Sequence, residues 1–178
     1  MKHFILLLVA FTAFIYTSKA QSSFPIDQTT NKIAWQETIP LDSVTKDEMY
    51  ERCKRWLAHY YKSSTFDVDN KAIYTVSKTD GFIISLTYDF KYKSQNKVSY
   101  TITLNQKDGK YRVTLTDFKF YNTQSGAKTQ VPLETAYSKM TGQNKSETSS
   151  QVLKEVNTVL ADLKTFMKTG AVKTQDDW

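Results

Sequence analysis

Residues able to carry chemistry are few. His59 is the one histidine beyond the first 20 residues, and Cys53, on the same segment, is the one cysteine of the chain. Acid–base work needs partners converging on the imidazole, and zinc needs three or four nitrogen or sulfur ligands. One histidine and one thiol supply neither. A reactive Cys53 would need an accessible, electropositive setting, but its spacing from Met49, Trp56 and Leu57 places it on an apolar stripe. A serine nucleophile would lack the Gly-x-Ser-x-Gly elbow and would have His59 as its only base. Glycines 81, 109, 126, 142 and 170 are too far apart to form a phosphate-cradling loop. The carboxylate pairs Asp67/Asp69 and Asp176/Asp177 belong to no EF-hand loop, and solvation of a turn and a tail accounts for them. The sequence therefore leads us to expect no catalytic residue, no metal ligand and no cofactor.

Recognition has more material. Ser85, Thr87, Ser99, Thr101, Thr103, Arg112, Thr114 and Thr116 alternate with apolar residues along three segments, so strands would line them up on one face. The plain reading of such a face is a solvated surface. The functional reading is polar recognition of a glycan, a peptide or a partner protein.

The elements that would position this face follow from periodicity. Ile33, Trp35 and Ile39 mark a strand over about 32–39, stopped by Pro40. Thr45 and Glu48 have capping-box spacing, and Met49, Cys53, Trp56, Leu57 and Tyr60 repeat with a helical period, predicting a helix over 45–62. Ala72–Lys78 reads as a short strand ending in a Thr79-Asp80-Gly81 turn, and a second strand runs from Phe82 to Phe90. Strands around 98–104 and 111–120 flank the hairpin signal Asp108-Gly109. The apolar phase slips between Leu115 and Phe118, which predicts a bulge near Asp117. Residues 121–131 lack any period and read as an exposed loop, followed by a brief extended segment to Tyr137. Val152, Val156, Val159, Leu160, Leu163, Phe166 and Met167 then predict a helix over 147–168, with Gly170 as its C-cap. The expected fold class is α+β: a single antiparallel sheet of about five strands with two helices on one face, in the order β-α-β-β-β-β-α.

The first 20 residues follow a different grammar. A basic Met-Lys-His start, an apolar run from Phe4 to Tyr16 and Ser18-Lys19-Ala20 make up a secretory signal peptide with cleavage before Gln21. The apolar run is shorter than the roughly 20 residues needed to span a bilayer, and no cysteine at the cleavage point offers a lipid anchor. The expected organisation is thus 1–20 signal peptide, 21–31 flexible leader, 32–168 one domain and 169–178 tail. The product would be periplasmic or secreted, with no transmembrane segment. Two of the 24 Lys/Arg and none of the 18 Asp/Glu lie in residues 1–20, leaving 22 basic against 18 acidic side chains, a balance of +4. The cations are dispersed, unlike a nucleic-acid footprint, and a single cysteine rules out an intrachain disulfide.

The Ile33-Ala-Trp35 segment and Thr45-Lys-Asp-Glu-Met-Tyr-Glu-Arg-Cys-Lys-Arg-Trp-Leu57 resemble a known family. With the strand meander and the final amphipathic helix, about 30–168 is similar to the exported bacterial domain of unknown function numbered 4468, which has a TATA-binding-protein-like fold. The resemblance implies that fold and a Gram-negative envelope setting; it carries no activity, ligand or residue role. In the TATA-binding protein the corresponding sheet face carries DNA. Here one arginine among hydroxyls, on an exported chain, makes nucleic acid an unexpected partner. Three functions stay open: an envelope binding module engaging a protein, peptide or glycan; a carrier of a small apolar molecule between the C-terminal helix and the sheet; and a hydrolase with an unrecognised site.

Overall fold

The computed structural model describes residues 24–88, 92–122 and 130–170. The elements run β1 (Ile26–Asp27), β2 (Lys32–Ile33), β3 (Trp35–Pro40), α1 (Lys46–Tyr60), β4 (Val68–Asn70), a 3-10 turn (Lys71–Ile73), β5 (Thr75–Tyr88), β6 (Tyr92–Lys107), β7 (Lys110–Asn122), β8 (Gln130–Pro132), α2 (Leu133–Lys139) and α3 (Gly142–Thr169). The main sheet has six strands, ordered β3-β7-β6-β5-β4, with β8 also paired to β7. Every pairing is antiparallel. The α+β class holds, with six strands where about five were expected.

Helix α1 starts where its cap dictates: the Thr45 hydroxyl oxygen accepts the Glu48 N–H at 3.3 Å. The reciprocal half of a capping box is not made, because the Glu48 carboxylate pairs with Arg52 (2.8 Å) and Arg55 (3.1 Å) instead. Helix α3 is the longest element and ends at Gly170, whose φ of 68° closes the left-handed cap with an N–H to the Phe166 carbonyl. Arg52 reaches across from α1 to the Met167 carbonyl at 2.8 Å, placing a cation at the negative end of α3. One continuous core joins Met49, Cys53, Trp56 and Leu57 of α1 to Val152, Val156, Val159, Leu163, Phe166 and Met167 of α3. The inward residues of the sheet, Val98, Tyr100, Ile102, Leu104, Val113, Leu115 and Phe118, complete it.

The bulge falls where the phase slip put it. Ser99 pairs with Lys119 and Thr101 with Thr116, so Asp117 and Phe118 together face Tyr100. Asp117 sits at φ 51°, and Lys32 of β2 holds its carboxylate at 2.8 Å.

Several boundaries differ from the sequence expectation. Thr79-Asp80-Gly81 is no turn: β5 runs unbroken from Thr75 to Tyr88, with Asp80 opposite Tyr100 and Gly81 opposite Ser99. Ala72 and Ile73 of the strand expected over 72–78 belong to the 3-10 turn, and β4 precedes it. The extended segment expected over 131–137 is strand only to Pro132 and then helix. Part of the supposed leader is built in: Phe24 is buried against Trp35 and Tyr137, and β1 pairs with β2. Residues 1–23, 89–91, 123–129 and 171–178 lie outside the described residues, and with them the signal peptide, the end of the strand expected over 82–90, most of the 121–131 loop and most of the tail.

Side chains of α3 close part of the β5 edge. Gln151 pairs with the Ser85 backbone twice, accepting its N–H (2.9 Å) and donating to its carbonyl (2.8 Å), as a neighbouring strand would. Glu147 accepts the Thr87 N–H (2.7 Å) and hydroxyl (2.8 Å). Burial pushes the Glu147 carboxyl up, but the Thr87 and Gln143 hydrogen bonds outweigh it, so its pKa lies below the ordinary value of 4.5. A depressed carboxylate pKa adds stability above the unfolded-state pKa, and that stability is lost as pH falls through the folded value. Glu147→Gln should therefore lower stability by about 1 kcal/mol at pH 7, a figure discounted for the partly exposed site, and by less at pH 3. Urea denaturation at both pH values checks this; an equal loss at both would refute it.

Candidate binding face

The sheet has two unlike faces because its strands alternate. The helix side carries the core, and the other side carries hydroxyls and carboxamides that the strand register sorts into rows. In the first row Thr75, Asn105, Arg112 and Thr38 lie abreast on β5, β6, β7 and β3. Ser77, Thr103, Thr114 and Gln36 form the second, and Thr79, Thr101 and Thr116 the third. Rows lie ~7 Å apart along the strands and neighbours within a row ~5 Å apart. No side chain in these rows is acidic, and Arg112 is their one charge.

The rows are tied internally. Asn105 Nδ2 donates to Thr75 Oγ1 at 2.7 Å, the Thr79 and Thr101 hydroxyls meet at 2.9 Å, and Arg112 Nε donates to Thr38 Oγ1 at 3.3 Å. Each hydroxyl both donates and accepts, so the rows keep hydrogen-bonding capacity toward a ligand except at Ser77, which is only 5% exposed. Among the described residues nothing on this face forms a nucleophile–base pair, and no group of three or more His, Cys, Asp or Glu could hold a metal.

Of the eight residues singled out from sequence, Thr101, Thr103, Arg112, Thr114 and Thr116 fall in the three rows. Ser99 is on the same side in the next rank but only 6% exposed, its hydroxyl 3.5 Å from that of Tyr121. Ser85 and Thr87 stand apart at the far end of β5, where Gln151 and Glu147 already engage them. Thr75, Ser77 and Thr79 were missed because the turn assigned to 79–81 cut them from the strand. Their common parity with Ser85 and Thr87 was the available signal. Thr38, Gln36 and Asn105 join only through pairing.

The first row opens at its end into a cleft of about 420 Å3, lined by Thr38, Ile73, Asn105, Gln106, Lys107, Lys110, Tyr111 and Arg112. Strand parity turns the Gln106 and Tyr111 side chains toward the core, so these two offer the cleft their backbone.

The other candidates are placed as follows. His59 is exposed on α1. Cys53 is fully buried, 3.9 Å from Met167 Sδ, and burial pushes its thiol up to about 12. Asp69 binds Lys54 at 2.7 Å and accepts the Tyr50 hydroxyl, while Asp67 is an exposed residue donating its N–H to Ser77. The space proposed for an apolar ligand holds side chains: Tyr100 and Phe118 stack at 5.6 Å, and Phe120 and Phe166 join the same core. Lys78, at 7% exposure, is held by the Thr65 carbonyl (2.7 Å) and Ser63 hydroxyl (3.2 Å), anchoring the 62–67 loop.

No curated protein matches the chain. Among solved structures it is similar to a DUF4468 family protein from Bacteroides ovatus (TM-score 0.67, 12% identity, covering 88% of this chain and 95% of the other). It is also similar to a TBP-like protein from Parabacteroides distasonis (TM-score 0.57, 13% identity, covering 79% and 96%). At these identities the likeness is one of fold. The model of the domain of unknown function DUF4468 with TBP-like fold matches residues 35–121, which span β3, α1 and the β5–β7 meander that builds the face. Over these residues, just under half of its length, the chain is similar to the DUF4468 family, and its fold is TBP-like.

Proposed function

We propose that this is an exported, non-enzymatic binding module of the cell envelope that presents the helix-free face of its sheet to a polar partner. The observation that carries the proposal is the arrangement of that face: hydroxyls and carboxamides in three registered rows, on a rigid sheet backed by one continuous core. A rigid platform of groups that both donate and accept loses little entropy on binding. Export is supported by the signal-peptide grammar of residues 1–20. The near absence of cations from the rows argues against nucleic acid.

The experiment pairs capture with a face variant. The native chain and Thr101→Arg/Thr114→Arg are crosslinked in the envelope fraction, and captured species are identified by mass spectrometry. Both positions are half-exposed, so the variant should keep its circular-dichroism spectrum and melt within a few degrees of the native chain. Its specific capture should fall at least tenfold. An unchanged capture profile would overturn the face reading. Recovery of the chain in the cytoplasmic fraction with residues 1–20 intact would overturn export.

A further inference from the structure

Three cations gather at the 107–112 end of the face. Lys107 and Lys110 are direct cross-strand partners at the β6–β7 hairpin, and Arg112 lies one rank behind, opposite Asn105. Like charges placed directly opposite repel and destabilise a sheet. Lys32, Arg52, Lys54, Arg55, Lys71 and Lys164 each have a carboxylate within 3.3 Å, while other lysines, Lys97 and Lys119 farther along the same face among them, have no salt bridge among the described residues. No salt bridge of Lys107, Lys110 or Arg112 occurs among the described residues. These three cations border the cleft of about 420 Å3, and Thr38 orients Arg112 by accepting from its Nε at 3.3 Å. The terminal nitrogens of Arg112 are left to meet an oxyanion. The cleft is continuous with the hydroxyl rows, since Thr38, Asn105 and Arg112 belong to both.

We infer that the cleft takes the oxyanion of an acidic saccharide, a uronate carboxylate or a sulfate ester, whose neutral hydroxyls lie along the threonine rows. This deepens the sheet-face reading and rests on it. Three rows extend ~13 Å along the strands, which suits a short oligomer better than a single sugar. Apart from exposed Ile73 at the rim and exposed Val68 opposite Ser77, the cleft and rows offer polar groups, matching a ligand that is anionic at one end and hydroxylated along its length.

The test titrates the exported chain, followed by calorimetry and amide chemical shifts, with a galacturonate trisaccharide, a sulfated tetrasaccharide, neutral maltotriose and inorganic sulfate alone. At least one acidic oligosaccharide should bind at least tenfold tighter than maltotriose and shift the amides of residues 105–112. Arg112→Gln should weaken that binding at least tenfold, and Lys110→Gln should reduce its salt dependence. Preference between the galacturonate and sulfated probes identifies the oxyanion. Equal binding of maltotriose, no acidic binding, or no effect of Arg112→Gln overturns the inference, and inorganic sulfate binding as tightly as the oligosaccharides overturns its saccharide part. In any of those cases, loss of capture by Thr101→Arg/Thr114→Arg would still uphold the sheet-face reading, so the two fail separately.

Discussion

Trp56→Ala is expected to cost about 3–5 kcal/mol, the usual range for truncating a buried tryptophan or phenylalanine. Trp56 is fully buried at the crossing of α1 and α3. Its ring lies 5.2 Å from that of Tyr60 and 6.0 Å from that of Tyr61, and its indole N–H donates to Asp162 of α3 at 2.7 Å. Truncation removes the packing volume and the Trp56–Asp162 hydrogen bond between these two helices, and it leaves Tyr61 less well supported. The Tyr61 hydroxyl meets that of Tyr100 on β6 at 2.8 Å, so the loss reaches the sheet. Domains of this size have total stabilities of roughly 5–15 kcal/mol, and each kilocalorie moves the midpoint by about 2–4 °C. Thermal unfolding should therefore show a midpoint lower by about 6–20 °C. Trp56→Phe, which keeps most of the volume, should recover over half of the loss. A drop below 3 °C for Trp56→Ala would show that the α1–α3 crossing is not the keystone of the core.

The sequence reads well where one periodic signal decides an element. Met49 to Tyr60 and Val152 to Met167 announce α1 and α3 because their apolar residues repeat with the helical period and face one core. The slip from Leu115 to Phe118 announces the bulge because a sheet tolerates only period two, so a phase change must be absorbed locally. Signals fail where tertiary contacts decide. β4 and α2 are too short to carry a period, and pairing with β5 and packing of Leu133 hold them in place. The first half of β6 was invisible because its inward residues, Ser94 and Asn96, are polar yet buried. The same division applies to the face. Thr101, Thr103, Thr114 and Thr116 were legible by alternation alone. That Ser85 and Thr87 sit at an edge closed by Gln151 and Glu147 depends on α3, more than 55 residues away in sequence.

Gly81 is the most instructive misreading, and it carries the second large prediction. Thr-Asp-Gly has turn composition, yet Gly81 is an inner residue of a 14-residue strand. Here glycine serves close approach rather than a turn. A Cβ at this position would lie 2.5 Å from the Val98 carbonyl oxygen and 2.9 Å from the Ser99 Cα, both backbone atoms of β6 that cannot swing aside. The Asp80 carboxylate accepts the Gly81 N–H at 2.7 Å. Gly81→Val, despite the higher strand propensity of valine, should therefore destabilise by about 3 kcal/mol, near the upper end of overpacking costs. Gly81→Ala should follow at about 2 kcal/mol. The strain would fall between the Thr79–Thr101 pair and the Ser99 rank, so it should also disturb the hydroxyl rows. In the amide spectrum of Gly81→Ala, shifts should concentrate at residues 97–101 and 116–119 and leave α3 unperturbed. If alanine or valine were neutral or stabilising there, β5 and β6 would not approach as closely as described, and the continuity of the long strand that aligns Thr75, Ser77 and Thr79 with the rest of the face would lose its physical basis.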